Sequence, residues 1–216
     1  MSDDELQRDV NDAIFYDPKV DSVAIVATVE KAVATLRGTV GSLREKVEAE
    51  NDVRHVAGVV EVRNELVVTP LDAGRRDDAD LRGAVLQALV LDSGVPSTVD
   101  VRIVDSWATL SGTASWQHQR AEAETVVSRM ESVRGVTNDI RLVAAEPLAL
   151  DVRQSIVDAL ERNARVDAKG ITVEMDGTTV VLGGTATSLA ERLEAAAAAW
   201  ASPGVTEVVN QIEIVN

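Results

Sequence analysis

The chain is predicted to be an α+β protein in which an αββαβ unit is written three times in tandem. Each unit forms a three-stranded mixed sheet with two helices on one face. Three observations predict this. First, Leu-x-Gly-Thr recurs as Leu36-Arg37-Gly38-Thr39, Leu110-Ser111-Gly112-Thr113 and Leu182-Gly183-Gly184-Thr185, with its glycines 74 and 72 residues apart. Second, an asparagine follows each glycine by 26 residues, at Asn64, Asn138 and Asn210. Each has a valine two residues before it (Val62, Val136, Val208) and an aliphatic two after (Leu66, Ile140, Ile212). Third, the apolar spacing upstream repeats as well. Leu6, Val10 and Ile14 match Leu81, Val85 and Leu89, then Val152, Ile156 and Leu160. Ile25, Ala27 and Val29 match Val99, Val101 and Ile103, then Ile171, Val173 and Met175. Such self-similarity marks a repeat architecture.

The third unit shows the order of elements best. Asp151 is placed to cap a helix whose Val152, Ile156, Val157 and Leu160 follow a 3.6-residue period. Ile171 to Met175 alternates as a strand, and Asp176-Gly177 reads as the two-residue hairpin turn, since both tolerate positive φ. Thr178 to Leu182 is the return strand, which Gly183-Gly184-Thr185 ends. Ser188-Leu189-Ala190-Glu191 is a capping box opening a second helix to about Ala201. Pro203-Gly204 stops that helix, and Val205 to Val215 supplies the last strand. Ser42-Leu43-Arg44-Glu45 is the same box in the first unit. In the second, Ser115-Trp116-Gln117-His118 keeps the cap and loses the box. Proline, glycine and charge mark linkers at Thr69 to Asp78 and Ala144 to Pro147, which sets units at 1–69, 79–144 and 148–216. Units of this size are marginal alone, so they are expected to lean on one another or on another chain.

Composition excludes several classes. There is no cysteine among 216 residues, which removes disulfide scaffolds, thiol nucleophiles and thiolate metal sites. The formal charge of −15 opposes a nucleic-acid partner, which needs a basic face. The three thirds of the chain are each acidic, so charge singles out no unit as a lipid binder. The start Met1-Ser2-Asp3-Asp4-Glu5 is acidic and has no apolar run behind it, unlike an export signal. No stretch is long and apolar enough for a membrane span. A cytoplasmic location is therefore expected, and a periplasmic one only if this N-terminus is a processed or engineered one.

The recurrent segments resemble the BON domain of bacterial proteins. The likeness lies in Leu-x-Gly-Thr after an alternating hairpin, then a helix, then Gly-Val-x-x-Val-x-Asn-x-Ile/Leu. That last pattern reads Gly58 to Leu66 in the first unit and Gly204 to Ile212 in the third. The second departs from it: Ser132 stands at the first glycine's position and Gly135 appears three residues later. The resemblance spans nearly the whole chain and implies an αββαβ fold. It also implies a non-catalytic attachment module, associated with osmotic or other stress, that binds phospholipid or an envelope component. Its motif, made of glycine, aliphatics and asparagine, carries over no catalytic residue.

The residues themselves agree in offering little chemistry. His55 and His118 fall on second helices of different units. No zincin, hydrolase, dinucleotide or phosphate-loop motif occurs; no catalytic residue, metal or cofactor is expected. Gly38, Gly112 and Gly184 read as sharp turns from the second strand into the helix-two cap, where a Cβ would obstruct or φ would be positive. Asn64, Asn138 and Asn210 read as starting the final strand through local backbone bonds. The acidic clusters Asp3-Asp4-Glu5 and Asp77-Asp78-x-Asp80 read as helix starts that complement the macrodipole. The aromatics Phe15, Tyr16, Trp107, Trp116 and Trp200 sit at element ends, as the core's largest members or as interface residues. The leading functional expectation is a binding array for phospholipid or an envelope protein. The other is a soluble, self-associating or client-holding stress protein, in which the chain forms homo-oligomers.

Overall fold

A computed structural model describes residues 2–70, 77–144, 152–162 and 170–215. The expected cap Asp151 and the linker positions 71–76 and 145–150 lie outside these residues. The first unit runs α1 (Asp3–Tyr16), β1 (Ile25–Glu30), β2 (Val33–Val40), α2 (Leu43–Arg54) and β3 (Glu61–Val68). The second runs α3 (Asp78–Leu91), β4 (Asp100–Val104), β5 (Trp107–Ala114), α4 (Gln117–Ser128) and β6 (Gly135–Leu142). The third runs α5 (Val152–Arg162), β7 (Ile171–Asp176), β8 (Thr179–Ala186) and α6 (Leu189–Trp200). Its last strand comes in two pieces, β9 (Glu207–Asn210) and β10 (Glu213–Ile214). Each sheet is mixed: the hairpin is antiparallel and the last strand joins the middle one in parallel. The fold class is the α+β, thrice-repeated αββαβ architecture read from the sequence.

Register shows which face the helices cover. Ala27 pairs with Leu36, and Leu36 with Asn64. Strand side chains alternate between faces, so these share the helix-covered face with Val29, Ala34 and Leu66, which are buried. The opposite face carries Val26, Thr28, Arg37, Glu61, Arg63 and Glu65, all exposed. The other units repeat the pattern, and the motif leucines Leu36, Leu110 and Leu182 are each fully buried. No aromatic residue belongs to the described core. The reading of the aromatics as the core's largest members is thereby corrected for Phe15, Tyr16 and Trp107, which are exposed, while Trp200 packs partly buried against the third core and leucine supplies the largest fully buried side chains.

The units lean on one another unequally. Buried residues of the first two form one continuous cluster, reached from the third by Leu189 and, at its margin, Ile214. The third keeps a separate cluster around Ile156, Leu160 and Leu182. Arg134 Nε also reaches the Val68 carbonyl across the first junction, at 3.5 Å.

Two local expectations shift. Asp176 pairs with Thr179, so the hairpin loop is Gly177-Thr178, with Gly177 at φ +58°. In the second unit the helix-two cap position is Trp116, which makes no side-chain capping bond. Gln119 Oε1 accepts instead from the Ser115 and Trp116 amides (3.1 and 3.2 Å), the counterpart of Glu45 accepting from Gly41 and Asp21 (2.8 and 2.7 Å). That unit therefore loses the cap and keeps the box residue, the reverse of the expectation.

Asp52 on α2 is a local liability. Its Oδ2 is buried without a hydrogen-bond partner. Burial first, and then the neighbouring Asp17 and Glu48 carboxylates, push its pKa from 3.8 up to about 6, against the pull of Lys19. The folded chain thus holds this proton more tightly than the unfolded chain, and stability falls as pH rises through that interval. Asp52→Asn is expected to raise stability at pH 7 by about 1 kcal/mol, a value reduced for partial solvent screening. Urea titrations should show the gain shrinking to nothing below about pH 4, where both states are protonated.

Candidate functional site

The recurrent motif is assembled by strand register. Leu36 and Asn64, Leu110 and Asn138, and Leu182 and Asn210 are direct neighbours across the parallel pair. The glycines have the positive φ and the obstructed Cβ expected of them, but inside a strand and not at the turn into the helix. Gly38, Gly112 and Gly184 lie within β2, β5 and β8, at φ +131°, +121° and +97°. A Cβ there would stand 2.0, 2.2 and 2.0 Å from the carbonyl oxygens of Ala24, Thr98 and Gly170. The segment entering the first strand crosses directly over the middle one, and only glycine leaves room.

The asparagines likewise do not start their strands. Asn64 lies inside β3. Its Oδ1 accepts from the Leu66 amide (3.2 Å), while Nδ2 donates to the Lys46 carbonyl and Glu50 Oε2, each at 3.0 Å. Asn138 repeats this with Ile140 (3.3 Å), Arg120 (2.9 Å) and Glu124 (3.1 Å). Asn210 bonds Ile212 (3.2 Å) and Arg192 (3.1 Å), and Ala196 stands where the other units have the glutamate. The local bond is the one expected; the tie to the second helix is additional. In every unit both ends of the amide are used, so the motif pins that helix to the sheet. Asn64→Ala is expected to cost about 2–3 kcal/mol and Asn210→Ala about 1–2, because the former also loses the bond to Glu50, whose carboxylate is left with its Arg54 ion pair. Denaturant unfolding ranks the two; the reverse order would contradict the assignment.

Repetition exposes further structural residues that composition did not suggest. Asp3 accepts from the Lys31 and Ala32 amides (2.8 and 3.1 Å), and Asp78 from those of Asp105 and Ser106 (2.8 and 2.9 Å). These carboxylates hold hairpin turns whose central residues have positive φ, so the acidic clusters clamp turns as well as start helices. Gln7 Nε2, Arg82 Nε and Arg153 Nε donate to the equivalent carbonyls of Ala27, Val101 and Val173 (2.5, 2.8 and 2.9 Å). Each covers an edge strand, which blunts edge-to-edge pairing. The signal was one polar side chain at the same place in every first helix.

The surface candidates are separated from this scaffold. Phe15 and Tyr16 end α1 at 66% and 76% exposed, with rings edge to face at 5.2 Å. Phe15 lines a shallow depression with Ile14, Ser22 and Ile25, and Val23 beside it is exposed. The second unit places Val90 and Leu91 at the matching end of α3, also exposed. Trp107 is half exposed on the bare sheet face, Trp116 is partly buried and stacks on His118 at 6.0 Å, and Trp200 packs against the third core. His55 caps α2 with Nδ1 2.6 Å from the Asn51 carbonyl. Among the described residues no group of three or more His, Asp or Glu is arranged to hold a metal ion. No described helix is long and apolar enough to cross a membrane.

Fold and motif together define a tandem scaffold whose repeated residues are structural and whose exposed residues differ from unit to unit. The chain belongs to the BON-domain family, whose model matches it three times, over residues 2–70, 77–144 and 150–216. It is 29% identical over 146 residues to osmotically-inducible protein Y of Escherichia coli, covering 65% of this chain and 73% of that one. Among solved structures it is similar to CdsD, a structural protein of the type III secretion system of Chlamydia trachomatis. The likeness is 16% identity with TM-score 0.26 over 98% of this chain and 92% of the other. The CdsD C-terminal domain gives 14% identity and TM-score 0.28 over the full length of both chains.

Proposed function

We propose that this is a non-catalytic, stress-associated binding protein that attaches to phospholipid or to an envelope-associated partner through the ends of its first helices. One observation carries the reading: exposed apolar pairs, Phe15-Tyr16 and Val90-Leu91, occupy the same position in two successive units. Exposed apolar side chains grouped at one place mark contact surfaces, and aromatic residues favour the membrane–water boundary. The similarity to an osmotically-inducible protein supports the stress association. The hydrogen bonds that the motif residues make within the fold support a non-catalytic reading, and among the described residues no group of three or more His, Asp or Glu is arranged to hold a metal ion.

The chemistry of attachment follows from charge. A chain of −15 is repelled by an anionic surface, so attachment rests on apolar insertion. Vesicle co-sedimentation tests this. Binding is expected to phosphatidylcholine vesicles, to gain nothing from added phosphatidylglycerol, and to be lost in Phe15→Ser/Tyr16→Ser. Absence of binding to every vesicle composition removes the lipid reading. The same apolar ends favour the second reading, a self-associating or client-holding protein, because the first-strand edges are covered. Suppression of light scattering by an aggregating client, without vesicle binding, would select it.

A further inference from the structure

The second unit departs from the others at two paired positions. Across the parallel strands Val33 faces Glu61 in the first unit and Thr179 faces Glu207 in the third; in the second, Trp107 faces Gly135. The two changes belong together. A Cβ on Gly135 would lie 2.3, 2.5 and 2.5 Å from three adjacent carbons of the Trp107 benzo ring. Near-equal distances to three neighbouring ring atoms arise only when the ring lies face-on over the α-carbon; an edge-on ring would leave two of them much farther away. The indole therefore lies flat on the sheet with its inner face on Gly135, which is buried beneath it. Its Nε1 donates to Thr137 Oγ1 at 2.9 Å, which fixes the rotation of the ring. Trp107 remains 49% exposed, so the outer π-face is turned to solvent. The departure at Ser132 has a separate explanation, since this serine itself adopts positive φ (+70°), as Gly58 and Gly204 do in their units.

We propose that this bare sheet face binds saccharide, with the outer face of Trp107 stacking on a pyranose ring. A gluco-configured pyranose presents a flat face of C–H bonds, whose weakly positive hydrogens suit the negative face of an aromatic ring. A ring already held flat and fixed in rotation loses little freedom on binding. Across the hairpin the ring is flanked by the exposed Val104, and the rest of the face is polar. Strand alternation puts Arg102, Thr109 and Asp139 on the same face, and all but Thr109 are exposed. Arg102 and Arg141 there stand with Asp139, and Asp100 at the edge is paired with Arg82 at 2.9 Å, so the face carries no net negative charge on an acidic protein. A neutral partner with many donors and acceptors matches it, whereas a polyanion does not. The proposal is independent of the lipid reading, which rests on other residues.

The test uses the full chain labelled with 5-fluorotryptophan and observed by fluorine NMR, with Trp107 assigned by loss of its signal in Trp107→Phe. Titration with chitohexaose and with cellohexaose is expected to move the Trp107 signal saturably below about 10 mM, leaving those of Trp116 and Trp200 in place. Gly135→Ala leaves the backbone unstrained and lifts only the indole. It is expected to keep the fold, judged by the two other tryptophan signals, and to weaken binding about tenfold or more, as loss of a stacking partner does. The absence of a saturable shift with either oligosaccharide overturns the proposal. So does a shift with a polyproline peptide or glycerophosphocholine alone, which would assign the ring to a peptide or a cationic headgroup.

Discussion

Gly184→Ala is expected to unfold the third unit at room temperature, while Gly183→Ala, one residue away in the same Gly-Gly pair, leaves it folded. The added methyl at 184 would stand 2.0 Å from the Gly170 carbonyl oxygen and 3.3 Å from the Ile171 α-carbon, at a φ of +97°. Both obstacles are backbone, so no side-chain rotation relieves them. The entry into β7 must move away, and with it the pairing of Ile171 to residue 184. Backbone strain and overpacking together put the cost at about 3–5 kcal/mol. At 183 the methyl meets only the Thr172 hydroxyl, at 2.9 Å, which can rotate, and no positive φ is involved. That change is expected to cost under about 1 kcal/mol, offset in part by a stiffer unfolded chain. Circular dichroism during urea unfolding separates the two. Equal losses would show that the close crossing is not what demands glycine.

Leu36→Ala is expected to destabilise the first two units together and spare the third, and Leu182→Ala to do the reverse. Both leucines are fully buried, and emptying such a site costs about 3–5 kcal/mol. That is comparable to the whole stability of a unit this small. The partition follows from packing: Leu36 belongs to the cluster shared by the first and second units, Leu182 to the third unit's own. Hydrogen exchange resolved by peptide reads the outcome. Loss of protection in Leu36→Ala confined to residues 2–70 would mean that the shared cluster does not couple the units.

Much of this fold was legible in the sequence because triplication averages out accidents. A single Leu-x-Gly-Thr says little, while three at nearly constant spacing, each with its asparagine 26 residues on, fix the order of elements. The reasons for the motif were less legible. Sequence spacing reports distance along the chain, whereas Gly38 is demanded by the carbonyl of Ala24 crossing over it. In the same way Asn64 is used by Lys46 and Glu50 of a helix packed above. The Asp176-Gly177 turn slipped by one residue because the strand pairing extends through Asp176. The second unit's departures were visible as departures only. Ser132 keeps a glycine-like φ while Gly135 cradles Trp107, and both follow from contacts across the fold and not from spacing along the chain. Exposed residues such as Phe15 could not be separated from core residues by composition, since scarcity of aromatics does not say where they point.

If the repeated motif is scaffold, attachment lies on the exposed, unit-specific residues at the ends of the first helices. Hydrogen exchange of the full chain with and without phosphatidylcholine vesicles tests this most directly. Slowed exchange is predicted in peptides covering Ile14 to Val26 and Leu89 to Thr98, with those around Asn64, Asn138 and Asn210 unchanged. Protection centred on the asparagine strands, or no change in any peptide, would contradict it.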